Sequence, residues 1–488
     1  MVGKEHSVQQ KLRKEIEAFE AKNRSIIEEL SGQVNAKRSM MYELDDLYKA
    51  HKDKHGYVGI FSFRQPRLLL TDPEIIKDIM IKYFKHFQGT EFFGMIDKQS
   101  DPLFGSHPFV LSGEEWKTKR AEVSPAFTNS RIKAIYPITQ QVTAKMINFV
   151  KQEIAKPDFD GLDAKDLAAR YTISIVSNTI YNVDPKSFEG QESEILKKSQ
   201  MFTAPSKRFM IIMMLNTVYP FLNRWIKFRF SQEGAEGFFI ELMNNAMKHR
   251  ENSDVHPNDY LEHLMNLKKK KEISDLDIAS HGASFLVDGF DTSSSIISFA
   301  LMEIALNAEI QNRLRKEIST AMPNEEDFTY DNILNLEYLE QIWNETLRRY
   351  FAGTHISRKC NDPVEVDMPK DKKLYFERDA VILIPVYSIH MDPEYYPEPE
   401  KFDPDRFSPE NGGVKAYIDR GVFMPFGQGP RICPGNRFAY SQSKIGLAAL
   451  IKNFEVSVNP KSPKEYFMHP QGIIFNNSGC FIDFKEIK

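Results

Sequence analysis

Residues 426–439 read FGQGPRICPGNRFA, Phe426 through Ala439, and the rest of the chain is organised around them. A single cysteine, Cys433, stands in a loop of glycines and prolines with an arginine on either side, Arg431 and Arg437. Gly427, Gly429 and Gly435 allow positive φ and close backbone approach, so the loop is expected to lie flat against something large. Pro430 and Pro434 stiffen it. The run that follows, Asn436 to Leu450, is apolar at helical spacing (Phe438, Ala439, Ile445, Leu447, Ala448, Leu450), which puts Cys433 just before a helix N-terminus. There the helix dipole and free N–H groups favour an anion, and the thiol is expected to be drawn toward thiolate. A thiolate on a rigid, glycine-lined shelf suits an axial ligand to a flat cofactor.

Composition narrows the classes. At 488 residues the chain exceeds the usual size of a single core, so two or more domains are the default. It is 41% hydrophobic and 27% charged, and its 64 basic residues nearly balance 68 acidic ones, for a net charge of −4. That balance argues against nucleic acid as a bulk partner. The three cysteines, Cys360, Cys433 and Cys480, are odd in number and far apart, which fits a reducing compartment rather than a disulfide framework. No run reaches the roughly 18 apolar residues a membrane helix needs. The longest candidate, residues 209–222, carries Asn216 and is broken by Pro220. The first 25 residues are charged throughout and do not read as a signal peptide, so no membrane-spanning segment is expected.

Along the chain, residues 1–35 read as one or two short surface helices. Residues 57–63 and 68–70 form a predicted hairpin around Arg64-Gln65-Pro66-Arg67. Asp72 followed by Pro73 opens a helix as N-cap and first residue. Residues 92–112 lack periodicity and form a long loop, of a length that is usually functional or disordered. Ser112-Gly113-Glu114-Glu115 is a capping-box pattern, and the helix it opens carries Trp116 and Arg120 four apart on one face. The middle of the chain, about 130–320, is mostly helical, with Lys268 to Lys271 read as a solvated loop. Ile278 to Leu306 is a long helix with a local contradiction at its centre, Asp288-Gly289-Phe290-Asp291-Thr292-Ser293-Ser294-Ser295. Glycine, acids and hydroxyls inside an apolar helix conflict with propensity, and such conflicts mark functional sites. Beyond Pro385 the chain is loop-rich up to the cysteine loop, and the tail reads as short strands around Gly472 and Gly479.

The pattern F-x-x-G-x-R-x-C-x-G at Phe426, Gly429, Arg431, Cys433 and Gly435 resembles the haem-binding signature of the cytochromes P-450, the haem-thiolate monooxygenases. In such sites the sulfur pushes electron density toward O–O cleavage. Two further motifs stand in the family's order. Glu345-Thr346-Leu347-Arg348 resembles its E-x-x-R helix, and Pro404-Asp405-Arg406-Phe407 its P-x-R-F segment. The resemblance implies that Glu345, Arg348 and Arg406 form a buried structural triad holding the cysteine loop. It also implies haem b, iron protoporphyrin, with Cys433 as metal ligand. Trp116, Arg120, Arg358 and Arg431 are implied as propionate partners. Gly289, Asp291, Thr292 and Ser293 match the oxygen-activation motif, which implies catalytic roles for Thr292 in relaying protons and Asp291 in supporting it. On its own Thr292 could instead bond its i−4 carbonyl at a helix kink.

The implied fold is mainly α with a small β region, the haem lying between the long central helix and the cysteine-ligand loop. Residues 1–37 would be an atypical charged extension and 38–488 a single haem-thiolate domain. The wording GFDTSS and PFGQGPRICPGNRFA is similar to insect microsomal members that oxidise hormones, plant toxins or insecticides. The implied reaction inserts one oxygen atom from O2 into a lipophilic substrate, with electrons from NADPH-cytochrome P-450 reductase and cytochrome b5 as an optional second donor. The implied location is the cytosolic face of the endoplasmic reticulum membrane, with peripheral contact near 201–222. Lys117, Lys119 and Lys444 are candidate docking residues for an acidic redox partner. By resemblance, loop 92–112, the apolar stretch 201–222, residues around Phe285, segment 352–357 and the tail turn near Ile473 are expected along the substrate's path; His355 is a candidate substrate contact, though a lone histidine is more often structural. Two departures from the family pattern stand out: Asp288, where a small residue is usual, and Phe351, where proline is common. A haem-thiolate isomerase or dehydratase is disfavoured because Asp291 and Thr292 are both present, and a non-catalytic haem-binding protein is the other alternative.

Overall fold

Amphipathic and fully apolar segments at helical spacing assemble into a large helical core, with three small sheets among the described residues. The computed structural model describes residues 38–62, 65–94, 96, 98–189, 193–203, 211, 229–232, 234–254, 259–271, 273–368, 372–469 and 474–487. The extension 1–37, most of 201–222 and Ile473 lie outside these. The fold is mainly α with a small β region, as the sequence predicts.

The long helix Asp275–Leu306 runs through the core, with Ser274 capping it by accepting from the Asp277 N–H. By length and composition it is apolar enough to cross a membrane, but 78% of its most apolar window is buried inside the fold. It packs against the helices Ala164–Tyr181 and Asn436–Asn453. The Thr172 hydroxyl donates to the Phe290 carbonyl at 3.0 Å, and Gln442 Nε2 donates to Ser293 Oγ at 2.8 Å. These polar contacts fix the register of an interface whose attraction is otherwise non-directional.

Four strands form the main sheet in the order β1 (Tyr57–Ser62), β2 (Gln65–Leu70), β7 (Val381–Ile384), β4 (Ile356–Lys359). The hairpin β1–β2 is antiparallel, with Ser62 opposite Gln65, and β2 runs parallel to β7. Strands β5 (Val364–Met368) and β6 (Lys372–Phe376) pair separately. The third sheet is β3 (Leu162–Asp163), β9 (Phe481–Glu486) and β8 (Phe454–Val458), so one tail strand closes the fold around Gly479.

Several local expectations are met and others corrected. Asp72 caps its helix, accepting from Glu74 N at 2.8 Å and Ile75 N at 3.2 Å. Ser112 sits at the N-cap of Gly113–Val123, but its hydroxyl makes no capping bond. Lys268 to Lys271 are not a loop: they form the last turn of the helix Tyr260–Lys271, where cations oppose the dipole's negative end. The segment 92–112 is a loop containing two 3-10 turns, Phe104–Ser106 and Pro108–Val110.

Gly446 lies where the Asn436–Asn453 helix meets Ala164–Tyr181. A Cβ there would stand 2.7 Å from the Tyr171 ring, whose hydroxyl is itself tied to the Gln442 carbonyl at 2.9 Å. Gly446→Ala is therefore expected to destabilise the protein by about 1–3 kcal/mol despite alanine's better helix propensity, measured as a lower denaturation midpoint.

Candidate active site

The cysteine loop is shaped by its backbone. The Cys433 N–H donates to the Phe426 carbonyl at 2.9 Å, closing the loop on itself. Gly429 has φ +71°, and a Cβ on it would meet the Met80 carbonyl oxygen at 2.1 Å, so glycine is demanded twice over. Gly435 does not need positive φ: at −87° it is the N-cap of the helix that follows, and its N–H faces the Cys433 sulfur. Burial dominates the thiol, pushing its pKa up to about 11 against the pull of that N–H and of Arg120. The helix terminus alone thus does not make a thiolate, contrary to the sequence expectation; a cation bonded to sulfur would have to displace the proton.

Three guanidinium groups gather beside the loop. Arg120, on the Gly113–Val123 helix, donates through Nη2 to the Ile432 carbonyl at 2.7 Å. Arg358, on β4, is buried and gives Nη1 to the Ser357 carbonyl at 2.9 Å. Arg431 donates to the carbonyls of Pro108 and Leu111, and its guanidinium lies 4.8 Å from the centroid of the Trp116 ring. Burial lowers the pKa of all three, Arg358 to about 10. For Arg431, burial followed by repulsion from Arg358 and Arg120 takes it to about 9. No carboxylate among the described residues offsets them, and the Nε atoms of Arg358 and Arg431 are buried without a partner. Such an arrangement is costly unless an anion joins it, and the propionates of a haem fit that vacancy in charge.

On the long helix, four consecutive carbonyls, Asp288 to Asp291, each accept a side-chain donor: Thr292, Gln442, Thr172 and Lys165 in turn. Side chains inserted at helix carbonyls are a recognised source of local distortion. The Thr292 hydroxyl donates to the Asp288 carbonyl at 2.6 Å, the i−4 bond weighed above. Asp291 is turned to Lys165, whose Nζ lies 2.6 Å from Oδ1. Burial lowers the pKa of Lys165, with Asp291 opposing that shift. Gly289 packs on Val176 and Phe285. The Asp288 carboxylate reaches across to the 101–112 loop, its Oδ2 lying 2.9 Å from His107 Nε2.

The structure brings Glu345, Arg348 and Arg406 into one buried network. Arg348 makes two bonds to Glu345, at 2.7 and 2.8 Å, and Arg406 Nε lies 3.4 Å from Glu345 Oε1. Arg348 also donates to the carbonyls of His390 and Pro399, and the Asp403 N–H donates to Glu345. His390, which sequence reasoning missed, extends the network toward the cysteine loop. Its Nε2 accepts from the Met424 N–H at 3.1 Å while its ring stacks on Phe423. Burial, then Arg348, lowers its pKa to about 3. A second missed cluster joins Arg67, Glu91 and His355. His355 Nε2 lies 2.7 Å from Glu91, whose pKa falls well below the usual carboxylate range because Arg67, then His355, outweigh its burial. These partners are hundreds of residues apart in some cases and leave no local signal.

Other expectations are corrected. Lys119 is buried between Asp277 and Glu122, and Lys444 is fully buried with its ammonium on the carbonyls of Leu334 and Leu336. Neither can dock a partner; only Lys117 of the three is exposed, beside Glu114. Phe285 packs edge-on against Phe127, Tyr260 and Phe438. Phe351 is buried among the aromatic residues near His390.

Removing one partner of a buried ion network leaves the other charge stranded, so Glu345→Ala is expected to cost about 3–5 kcal/mol in denaturant unfolding. His390 stays neutral in the folded protein down to about pH 3 but titrates near 6.5 when unfolded. The unfolded state binds the extra proton between those values, so stability is lost as pH falls through that window, at up to about 1.4 kcal/mol per unit. His390→Gln should flatten that slope in pH-dependent unfolding measurements.

Comparisons with known proteins agree with this geometry. The cytochrome P450 family model matches residues 30–484. Probable cytochrome P450 28a5 of Drosophila melanogaster is 32% identical over 458 residues, covering 92% of this chain and 90% of that protein. Probable cytochrome P450 28d1 of the same fly is also 32% identical over 458 residues, covering 92% and 89%. Its cytochrome P450 6a2 is 31% identical over 445 residues, covering 88% and 86%. With the helical fold, the cysteine loop and the buried Glu345–Arg348–Arg406 network together, the chain belongs to the cytochrome P450 family of haem-thiolate monooxygenases, which hold haem through a cysteine thiolate.

Proposed function

We propose that Cys433 supplies the thiolate and that Arg120, Arg358 and Arg431, with Trp116, hold the haem propionates. The observation that carries this reading is the set of three guanidinium groups beside the Cys433 loop, Arg358 buried and Arg120 and Arg431 half-buried, with no carboxylate among the described residues to balance them. Phe426 and Gly435 frame the sulfur, one by its carbonyl on the Cys433 N–H and one by its own N–H. Of the other cysteines, Cys360 is buried with its Sγ 3.3 Å from the Asp362 carbonyl, and Cys480 is buried in the tail. The bound haem would supply the activation of O2, one oxygen atom going to substrate and the other leaving as water.

The chain's own groups then bind, orient and move protons. Thr292 Oγ1 is the relay hydroxyl, held at rest on the Asp288 carbonyl; Gly289, one residue beyond that carbonyl, eases the helix there. Asp291, paired with Lys165, supports the relay. Glu345, Arg348 and Arg406 keep the loop assembled. The substrate is a lipophilic molecule of the hormone, plant-toxin or insecticide class, enclosed by the aromatic residues of the 101–112 loop. Electrons come from an NADPH-dependent flavoprotein reductase, with cytochrome b5 as an optional second donor. Lys117 and Arg437 are exposed near the loop for docking. Residues 38–488 act as one domain, at the cytosolic face of the endoplasmic reticulum membrane.

Reduced protein exposed to carbon monoxide should show the strongly red-shifted Soret band of a thiolate-ligated haem. Cys433→Ala should abolish that band, while Cys360→Ser and Cys480→Ser keep it. An unshifted band in the wild type, or one that survives Cys433→Ala, overturns the assignment. Substrate-dependent NADPH consumption with added reductase then tests the electron source.

A further inference from the structure

Asp288 is the exposed residue in a stretch of the long helix that is otherwise buried or half-buried from Phe285 to Ser298. Its side chain is 59% exposed, whereas its partner His107 is buried. The loop that carries its partner His107 meets the cysteine loop, Arg431 donating to the Pro108 and Leu111 carbonyls. Asp288 stands one helical turn before Thr292, whose hydroxyl donates to its carbonyl.

The pairing with His107 fixes what each group can do. His107 Nδ1 accepts a hydrogen bond from the Phe109 N–H at 3.0 Å, so that nitrogen serves as the ring's acceptor. The proton therefore sits on Nε2, which donates to Asp288 Oδ2 at 2.9 Å. The imidazole is held flat by stacking on Phe104, 4.9 Å between centroids, and Phe104 stacks in turn on Phe230 at 4.4 Å. The loop carrying His107 is itself fastened. Asp101 accepts from the Phe104, Phe230 and Ser231 N–H groups, Ser280 donates to the Leu103 carbonyl, and Arg431 donates to those of Pro108 and Leu111.

One carboxylate oxygen is thus anchored by the imidazole Nε2. The other, Oδ1, has no hydrogen bond to the described residues, and no lysine or arginine among them pairs with Asp288. A carboxylate fixed in direction by a stacked imidazole, with its second oxygen open, offers an acceptor to an organic cation. Phe109, 47% exposed, lies 6.5 Å from the His107 ring and 5.3 Å from the Phe92 ring.

We propose that the Asp288–His107 pair is a specificity-determining site that selects lipophilic amines, bound as their ammonium ions, among this enzyme's substrates. Asp288 supplies the charge and the acceptor oxygen, and His107 positions it. This rests on the haem-thiolate reading above, and it narrows the substrate class of that site.

The test uses the purified haem-loaded protein and a matched pair of probes, a lipophilic tertiary amine and the neutral hydrocarbon of the same skeleton. Binding is measured by equilibrium dialysis and by the Soret shift on titration. The wild type should hold the amine about tenfold to a hundredfold more tightly than the neutral probe, the range of one hydrogen bond to a charged group. Asp288→Asn should remove that preference while leaving the neutral probe's affinity in place. His107→Phe, which keeps the ring stack but frees the carboxylate, should weaken it in part. Equal affinity for the two probes in the wild type, or an unchanged preference in Asp288→Asn, overturns the proposal. A matched alcohol that binds as tightly as the amine overturns the choice of a cation. The carbon monoxide spectrum of each variant is recorded first. A missing red-shifted band in the wild type is failure of the haem-thiolate reading, whereas a normal band without amine preference is failure of this inference alone.

Discussion

Positive charge concentrated where no carboxylate among the described residues cancels it is the constraint around which this structure is arranged. Arg120, Arg358 and Arg431 come from a helix, a strand and the cysteine loop, three elements far apart in the chain. Each loses hydration on burial, and Arg431 is repelled by the other two as well. Folding brings them together because each is tied by hydrogen bonds to a neighbouring carbonyl and because Trp116 offers its face to Arg431. Those contacts orient the guanidinium groups without neutralising them. An anionic cofactor would relieve the repulsion, so its binding free energy would also be folding free energy for this region.

The Glu345–Arg348–Arg406 network does the opposite kind of work, since its charges are internally compensated. It joins the Glu337–Arg349 helix to the segment around Pro399 and Asp403, and through His390 to Met424 at the approach to Phe426. Hydrogen bonds buried this deeply are directional and costly to break, which suits them to fixing the position of a loop that regular secondary structure does not hold. The sulfur of Cys433 is therefore positioned from two sides, by the helix that follows it and by this network behind it.

The motif residues were legible because the chemistry they imply demands particular residue types at short spacing. The cysteine loop, Glu345 with Arg348, and Trp116 with Arg120 are all of that kind. Helix caps such as Asp72 were legible for the same local reason. What escaped the sequence were pairings set by tertiary approach. Lys165 meets Asp291 across 126 positions, and His107 meets Asp288 across 181. Lys268 to Lys271 look like a loop by charge, yet they continue a helix because its dipole welcomes cations at that end. The thiol of Cys433 was expected to drift toward thiolate at a helix terminus, but burial outweighs the dipole until a metal is considered. Asp288 was visible as an oddity; only the structure supplies the partner that gives it meaning.

The burial of Lys119 and Lys444 has a consequence for surface chemistry. Both side chains are enclosed, one among carboxylates and the other on backbone carbonyls. Amine-directed reagents such as acylating cross-linkers should pass over them in the native protein and modify them once the helices separate. These two positions are built-in reporters of whether a footprinting experiment is sampling the assembled enzyme or its loosened forms.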